Sequence, residues 1–173
     1  MNEVLNCLEP RRSCRAYRPE QVPEEALQEI LRAGLYAPSG MGRQSVKLLA
    51  VQDPAAIAAL ERLNGGVLGS PEAHPFYGAP TVCVVLADAA AFTAVEDGSL
   101  ALGNLMNAAH SLGIASCWIH RAREVFASAE GKALLQQWGV EGEWIGIGHC
   151  ILGYAAEPEK PAAPRLEGRI VRI

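Results

Sequence analysis

The 173-residue sequence contains no G-x-x-x-x-G-K-S/T stretch, which excludes a P-loop that cradles nucleotide phosphates. It has no Cys-x-x-Cys pair either. Its five cysteines (Cys7, Cys14, Cys83, Cys117 and Cys150) are scattered and odd in number, which argues against a disulfide framework or zinc ribbon and for free thiols in a reducing cytoplasm. The four histidines (His74, His110, His120 and His149) sit in separate segments, none at the i, i+4 spacing of a helical metal site. Aromatic residues make up only 6% and the net charge is −4, so a general nucleic-acid or membrane-surface binder is not expected. Long hydrophobic runs are missing too. "TVCVVLADAAAF" and "IGIGHCILGYAA" are interrupted by Asp88 and His149 and fall short of the roughly 20 residues a bilayer span needs. The start, "MNEVLNCLEP", carries Glu3 and no apolar core, so no signal peptide is expected and the cytoplasm is the expected location.

What is present reads as one globular domain over residues 1–173, half hydrophobic and a fifth charged. "PEEALQEILRAGLYA" has Pro23 and two glutamates at its start, with Leu27, Ile30, Leu31 and Gly34 on one face, and is predicted to be a helix stopped by Pro38. "VKLLAVQ" suits a buried strand. Asp53 and Pro54 then open a helix expected to end at Gly65-Gly66. Asn64 to Pro80, rich in glycine and proline, is expected to be a long loop. "TVCVVLAD" and "WIGIGHCILGYA" are predicted strands, "RIVRI" a candidate fourth, and "EPEKPAAPR" an extended segment. Asp97 to Leu112 is apolar or small almost all round, so that helix should be buried in the core or against a second subunit. "CWIHR" leads to a further helix ending at Gly139. Helices and strands that mix without strict alternation imply an α+β protein in three α-β-α layers, its mixed or antiparallel sheet covered by helices. "GIGHCILG" partly matches a dinucleotide fingerprint, but its third glycine comes too late and a Pro-rich segment follows where a helix is required. Close packing explains those glycines better.

The most concentrated charge is "RRSCRAYR", with four arginines between Arg11 and Arg18 in an otherwise acidic chain. Arginine suits phosphate because its planar fork makes two parallel charge-assisted hydrogen bonds. In an extended backbone Arg11, Ser13 and Arg15 alternate onto one side and Arg12 points elsewhere. A solvated basic face remains the alternative for this stretch taken alone. Cys14 among arginines could be a lowered-pKa thiol or an unreactive neighbour of ligand-facing residues. His149 reads as a buried strand histidine.

"RRSCRAY", "APSGMGRQ", "DGSLALGNLMNAAHSLG", "SCWIH" and "PAAPR" occur in an order that resembles the nitroreductase family of FMN-dependent oxidoreductases, from Arg11 to Arg165. The resemblance implies that Arg11, Arg12, Ser13 and Arg15 hold the FMN phosphate and ribityl chain, with Arg165 completing the phosphate site. It implies that Pro38, Ser39, Gly40, Gly42 and Gln44 form a loop that packs along the flavin of the other subunit. Trp118, Ile119 and His120 would face its reactive edge, with a backbone amide near His120 at flavin N5. The chain departs from the family at Gly42, where asparagine is frequent, and at Ser45-Val46, where proline-tryptophan is frequent. Ala162 and Ala163 stand where a second late basic residue is common, and Lys160 is the nearest substitute.

The resemblance further implies a homodimer with FMN at the interface and a C-terminal strand that extends to the partner. It implies ping-pong transfer of hydride from NADH or NADPH, through flavin N5, to electron-poor acceptors such as nitroaromatics or quinones. The flavin carries the hydride, so no catalytic side chain is assigned. Two other readings stand beside it: a non-catalytic nucleotide- or anion-binding protein, and a specialised flavin-fold enzyme such as a reductive dehalogenase, whose substrate lid would have to be Asn64–Tyr77.

Overall fold

A computed structural model describes residues 2–173. Its apolar runs pair as β1 (Val46–Val51), β2 (Thr81–Asp88), β3 (Ala115–Ile119) and β4 (Trp144–Gly153), in the spatial order β1-β2-β4-β3 with every pairing antiparallel. β2 lies inside the sheet and is buried from Thr81 to Ala87, which is why it reads as a continuous apolar run. The helices are α1 (Glu3–Leu8), α2 (Glu24–Leu35), α3 (Pro54–Val67), α4 (Ala94–Ser111), α5 (Ala122–Ala127) and α6 (Ala129–Gln137).

Alternation along β2 and β4 sends side chains to two cores. Val82, Val84, Leu86 and Ile151 pack with Leu60 of α3, Val125 and Phe126 of α5 and Leu135 of α6. Cys83, Val85, Cys150 and Leu152 pack with Leu27 and Ile30 of α2 and with Ala101, Leu102 and Leu105 of α4. The sheet is therefore the middle of three layers, as the sequence implied. Each fully buried aliphatic side chain contributes about 1.5–3 kcal/mol.

Several expectations are corrected. α3 does not stop at Gly65-Gly66 but runs on to Val67. Gly65 is instead a point of close approach, because a Cβ there would meet the Ser70 carbonyl oxygen at 2.8 Å. The expected long loop is thus shorter and pinned: Phe76 and Ala79 are buried, and the Phe76 amide donates to Glu61 Oε1 at 2.8 Å. The expected single helix after "CWIHR" is two, α5 and α6, broken at Ser128, whose hydroxyl caps α6 by accepting from Gly131 N at 3.0 Å. α1 and β3 had no sequence assignment. "RIVRI" forms no strand within the chain: Ile170, Val171 and Ile173 are exposed. "EPEKPAAPR" forms no helix, as expected. Close packing holds for the "GIGHCILG" glycines, since a Cβ at Gly146 would collide with the Ala122 carbonyl oxygen.

β1 is an edge strand. Beside it, between α2 and β1, runs a groove of about 750 Å³ lined by Leu31, Leu35, Val46 and Leu48, with Glu25 and Glu29 on its rim.

Candidate functional site

The basic N-terminal stretch is stitched into the molecule by backbone bonds on two sides. Ser13 bridges Ser116 of β3 in parallel, and Cys14 N donates to the Ser116 carbonyl at 3.0 Å. Farther along, Arg18 N donates to Tyr154 O and Ala156 N to Ala16 O, both at 2.9 Å, so residues 13–18 lie between β3 and the segment that follows β4. Arg12 turns back onto the main chain, its Nη1 donating to Glu9 O (2.9 Å) and Arg11 O (2.6 Å). Arg11 Nη1, Arg12 Nε and Ser116 Oγ are buried without a hydrogen-bond partner. Buried donors are nearly always satisfied, and a buried unpaired guanidinium nitrogen is costly. This corner has spare positive donor capacity that fits a phosphate monoester.

The thiol of Cys117 shows how tightly these groups converge. Burial raises its pKa, while Arg15, Ser13 and Arg11 all pull it down. Arg12, Ser13 and Arg15 also line a cavity of about 460 Å³, whose other wall is Glu157 to Pro161 and includes Lys160. Lys160 is thus brought to the basic cluster. Arg165 is not placed with it: it lines a separate surface hollow built from residues 164–170 alone. Cys14 donates its thiol to the Ala16 carbonyl at 3.1 Å.

The second group of expected residues is the loop before β1. Gly40–Gly42 form one 3-10 turn. Met41, Gly42 and Gln44 take positive φ values of 55°, 67° and 52°, the region L side chains disfavour. Ser39 Oγ accepts from Gln44 N at 3.0 Å, and Asp97 of α4 takes Gly40 N and the Ser45 hydroxyl. Pro38, Gly42 and Gln44 are exposed; Ser39 and Gly40 are half-buried.

The third group closes β3. Trp118 is 51% exposed and its ring meets that of His120 edge-on at 5.7 Å, while Ile119 is buried. The Trp118 indole lies in a slot over Gly148, where a Cβ would come within 2.6 Å of its Nε1. Asn64, fully buried at the end of α3, clamps the turn that follows: its Nδ2 donates to His120 O at 2.8 Å and its Oδ1 accepts from Arg121 Nε at 3.0 Å. Arg121 is held there at φ 76°. Neither Asn64 nor Asp97 had a role legible in the sequence, because their partners lie more than fifty positions away.

Two chemistry-bearing segments therefore sit on opposite edges of the sheet: the Ser39–Gln44 loop beside β1, and Trp118–His120 on β3. Three strand spacings, about 14 Å, separate those edges within one chain. Among the described residues no group of His, Cys, Asp and Glu could hold a metal ion, and no helix is long and apolar enough to cross a membrane.

Known proteins share this arrangement. The profile of the Nitroreductase family matches residues 8–154. A protein of Methanothermobacter thermautotrophicus, named as a candidate NADH dehydrogenase/NAD(P)H nitroreductase, is 33% identical over 125 residues, which cover 67% of this chain and 60% of that relative. An FMN reductase (NAD(P)H) of Bacillus subtilis is 39% identical over 66 residues, covering 38% of this chain and only 26% of its own length. Among solved structures, a nitroreductase with bound FMN from Bacteroides fragilis superposes with a TM-score of 0.89 at 34% identity, covering 100% of this chain and 99% of the other. A nitroreductase with bound FMN from Desulfitobacterium hafniense gives the same TM-score and coverage at 28% identity.

Proposed function

The chain belongs to the nitroreductase family, and from that premise we propose that it is an FMN-dependent oxidoreductase that spends NADH or NADPH on electron-poor acceptors such as nitroaromatics or quinones. The observation that carries the reading is the buried, unpartnered Nη1 of Arg11 beside Ser13 and Arg15, a donor set suited to the phosphate of FMN. The relatives bearing FMN and NAD(P)H in their names supply the identity of the cofactor and reductant.

When bound, FMN supplies the redox chemistry, accepting and releasing a hydride at N5 in ping-pong order. The protein's share is placement and electrostatics. Arg11 and Arg15 neutralise the phosphate, with Arg12 and Ser13 beside them. Lys160 stands closer to this cluster than the sequence alone suggested, and Arg165 would join it only by movement of the C-terminal segment or from a second chain. Trp118, Ile119 and His120 at the β3 terminus would face the reactive edge, and a main-chain amide near His120 would be the donor for N5. Pro38, Ser39, Gly40, Gly42 and Gln44 would cover the ring from the partner subunit, a reading their distance from β3 within one chain supports.

The proposed assembly is a homodimer of single FMN-binding domains. The exposed "RIVRI" tail carries Arg169 and Arg172 among three apolar residues, and the groove beside β1 offers Leu31, Leu35 and Leu48 alongside Glu25, Glu29, Arg32 and Lys47. The proposed contact is apolar, with Ile170, Val171 and Ile173 of one copy set on the leucines beside the other's open edge strand. The reductive dehalogenase reading would need its lid from residues 68–79, which follow α3 and are tied to Glu61 at Phe76.

Protein purified and titrated with FMN should turn yellow with saturable binding, and NADH or NADPH should bleach it anaerobically. Arg11→Ala should weaken FMN binding about tenfold to a hundredfold, the loss of a charge-assisted contact. A parent chain that ignores FMN would end this reading.

A further inference from the structure

Asp97 is given no role in the flavin site above, yet it is 3% exposed and has both carboxylate oxygens committed. Oδ1 accepts from the Gly40 backbone N–H at 2.9 Å and Oδ2 from the Ser45 hydroxyl at 2.6 Å. An ionised carboxylate is expensive to bury unless its bonds do something the fold requires. Here they grip the two ends of a strained loop. Met41 and Gln44 are non-glycine residues in the left-handed region, a conformation that persists only where the surroundings over-determine it. The remaining constraints are the Ser39 hydroxyl on Gln44 N, the turn bonds from Gly42 N to Ser39 O (3.0 Å) and from Arg43 N to Gly40 O (3.2 Å), Asp88 N on Ser45 O (2.9 Å), and Thr93 packed so closely on Gly40 that no Cβ fits there.

The hydroxyl–carboxylate bond of Ser45 fixes the exit of the loop. Asp97 also occupies the first turn of α4, where negative charge complements the exposed helix amides. The Ser45 hydroxyl, with Gly40 N–H and Thr93 behind it, holds the carboxyl below its ordinary range against the opposing effect of burial, so the group stays ionised at neutral pH.

We infer that Asp97, acting with Ser45, is the positioning residue for the Pro38–Gln44 loop and, through it, for the flavin ring that the loop covers in the partner's site. The second half of this statement rests on the proposed flavin function; the first half does not.

The test compares full-length parent, Asp97→Ala, Asp97→Asn and Leu135→Ala. The last loosens the core on the opposite face of the sheet. Three quantities are read: hydrogen exchange of the Gly40, Gly42, Arg43 and Gln44 amides, the FMN dissociation constant, and the flavin midpoint potential. In Asp97→Ala the loop amides should exchange roughly a hundredfold faster. FMN affinity should fall at least about tenfold, and the potential should shift. Asp97→Asn keeps an acceptor for Gly40 N–H and should recover most of the loss. Leu135→Ala should lower the melting temperature while leaving loop exchange and potential alone. Unchanged loop exchange in Asp97→Ala overturns the anchor. Faster loop exchange with unchanged affinity and potential overturns the link to the flavin. If the parent binds no FMN, the functional reading and the link fall together, and the exchange measurement alone decides the anchor. Should Asp97→Ala not fold, Ser45→Ala removes one arm of the same anchor and is judged by the same outcomes.

Discussion

His149 is the residue most at odds with its surroundings. It is fully buried between Phe76, at 5.2 Å between ring centroids, and Phe126, at 6.1 Å, and neither ring nitrogen meets a hydrogen-bond partner. Burial pushes its pKa down to about 4; the Ile119 backbone nearby offsets this only in part, without reaching hydrogen-bond geometry. The unfolded chain accepts a proton below about pH 6.5 that the folded chain refuses. The proton linkage of His149 therefore costs nothing above pH 6.5, and stability is lost as pH falls below it, by roughly 3 kcal/mol at pH 4. Asp97, whose pKa is also depressed, erodes stability only below the ordinary aspartate range, so the loss between pH 6.5 and 4 belongs to His149. Thermal melts at pH 7 and pH 4.5 should show the drop in the parent, and His149→Leu should be neutral or stabilising at pH 7 with a flatter acid limb. A variant that loses stability equally at acid pH would refute this assignment. At this scale the sequence exposes what is dense or unusual in composition, such as Arg11 to Arg18. It hides groups like Asn64 and Asp97, whose meaning lies in a backbone atom supplied from elsewhere in the chain.

Elements were legible where periodicity and caps agreed. α2 begins after Pro23 with two glutamates, and β1 and β2 stand where continuous apolar runs predicted them. β3 escaped notice because its five residues, "ASCWI", include small and polar ones that pair along β4 without an alternating pattern of their own. The double glycine in α3 misled because glycine can end a helix or admit a neighbour, and composition does not say which. β4 carries the sharper case. At Gly146 the start of α5 presses the Ala122 carbonyl against the strand, next to the irregular register between Val85 and Leu86. Gly146→Ala should therefore cost about 1–3 kcal/mol through overpacking against rigid backbone, read as a lowered denaturation midpoint with an unchanged slope. A midpoint equal to that of the parent would mean that α5 can slide away, and that this contact does not set the helix position.

For the molecule as a whole, the three-layer plan was readable because both sheet faces left apolar signatures, whereas the assembly was readable only as surplus. Phe92 is 97% exposed, Leu100 and Val95 of α4 are open, and the C-terminal isoleucines have no cover. If the tail fits the groove beside β1, ending the chain at Gly168 should weaken dimerisation at least about tenfold while leaving the fold intact. Light scattering across micromolar concentrations measures this, and a full-length chain that stays monomeric there would contradict it. Within one protomer, α4 touches both halves of the proposed chemistry. Asp97 in its first turn holds the loop destined for the partner's flavin, and Leu102, about 8 Å farther along the axis, packs at Gly148 beneath Trp118, on the strand that serves its own flavin. In the proposed dimer the helix would be a strut between two pockets: its stiffness would space the two half-sites, and neither ring would shift far without loading the other.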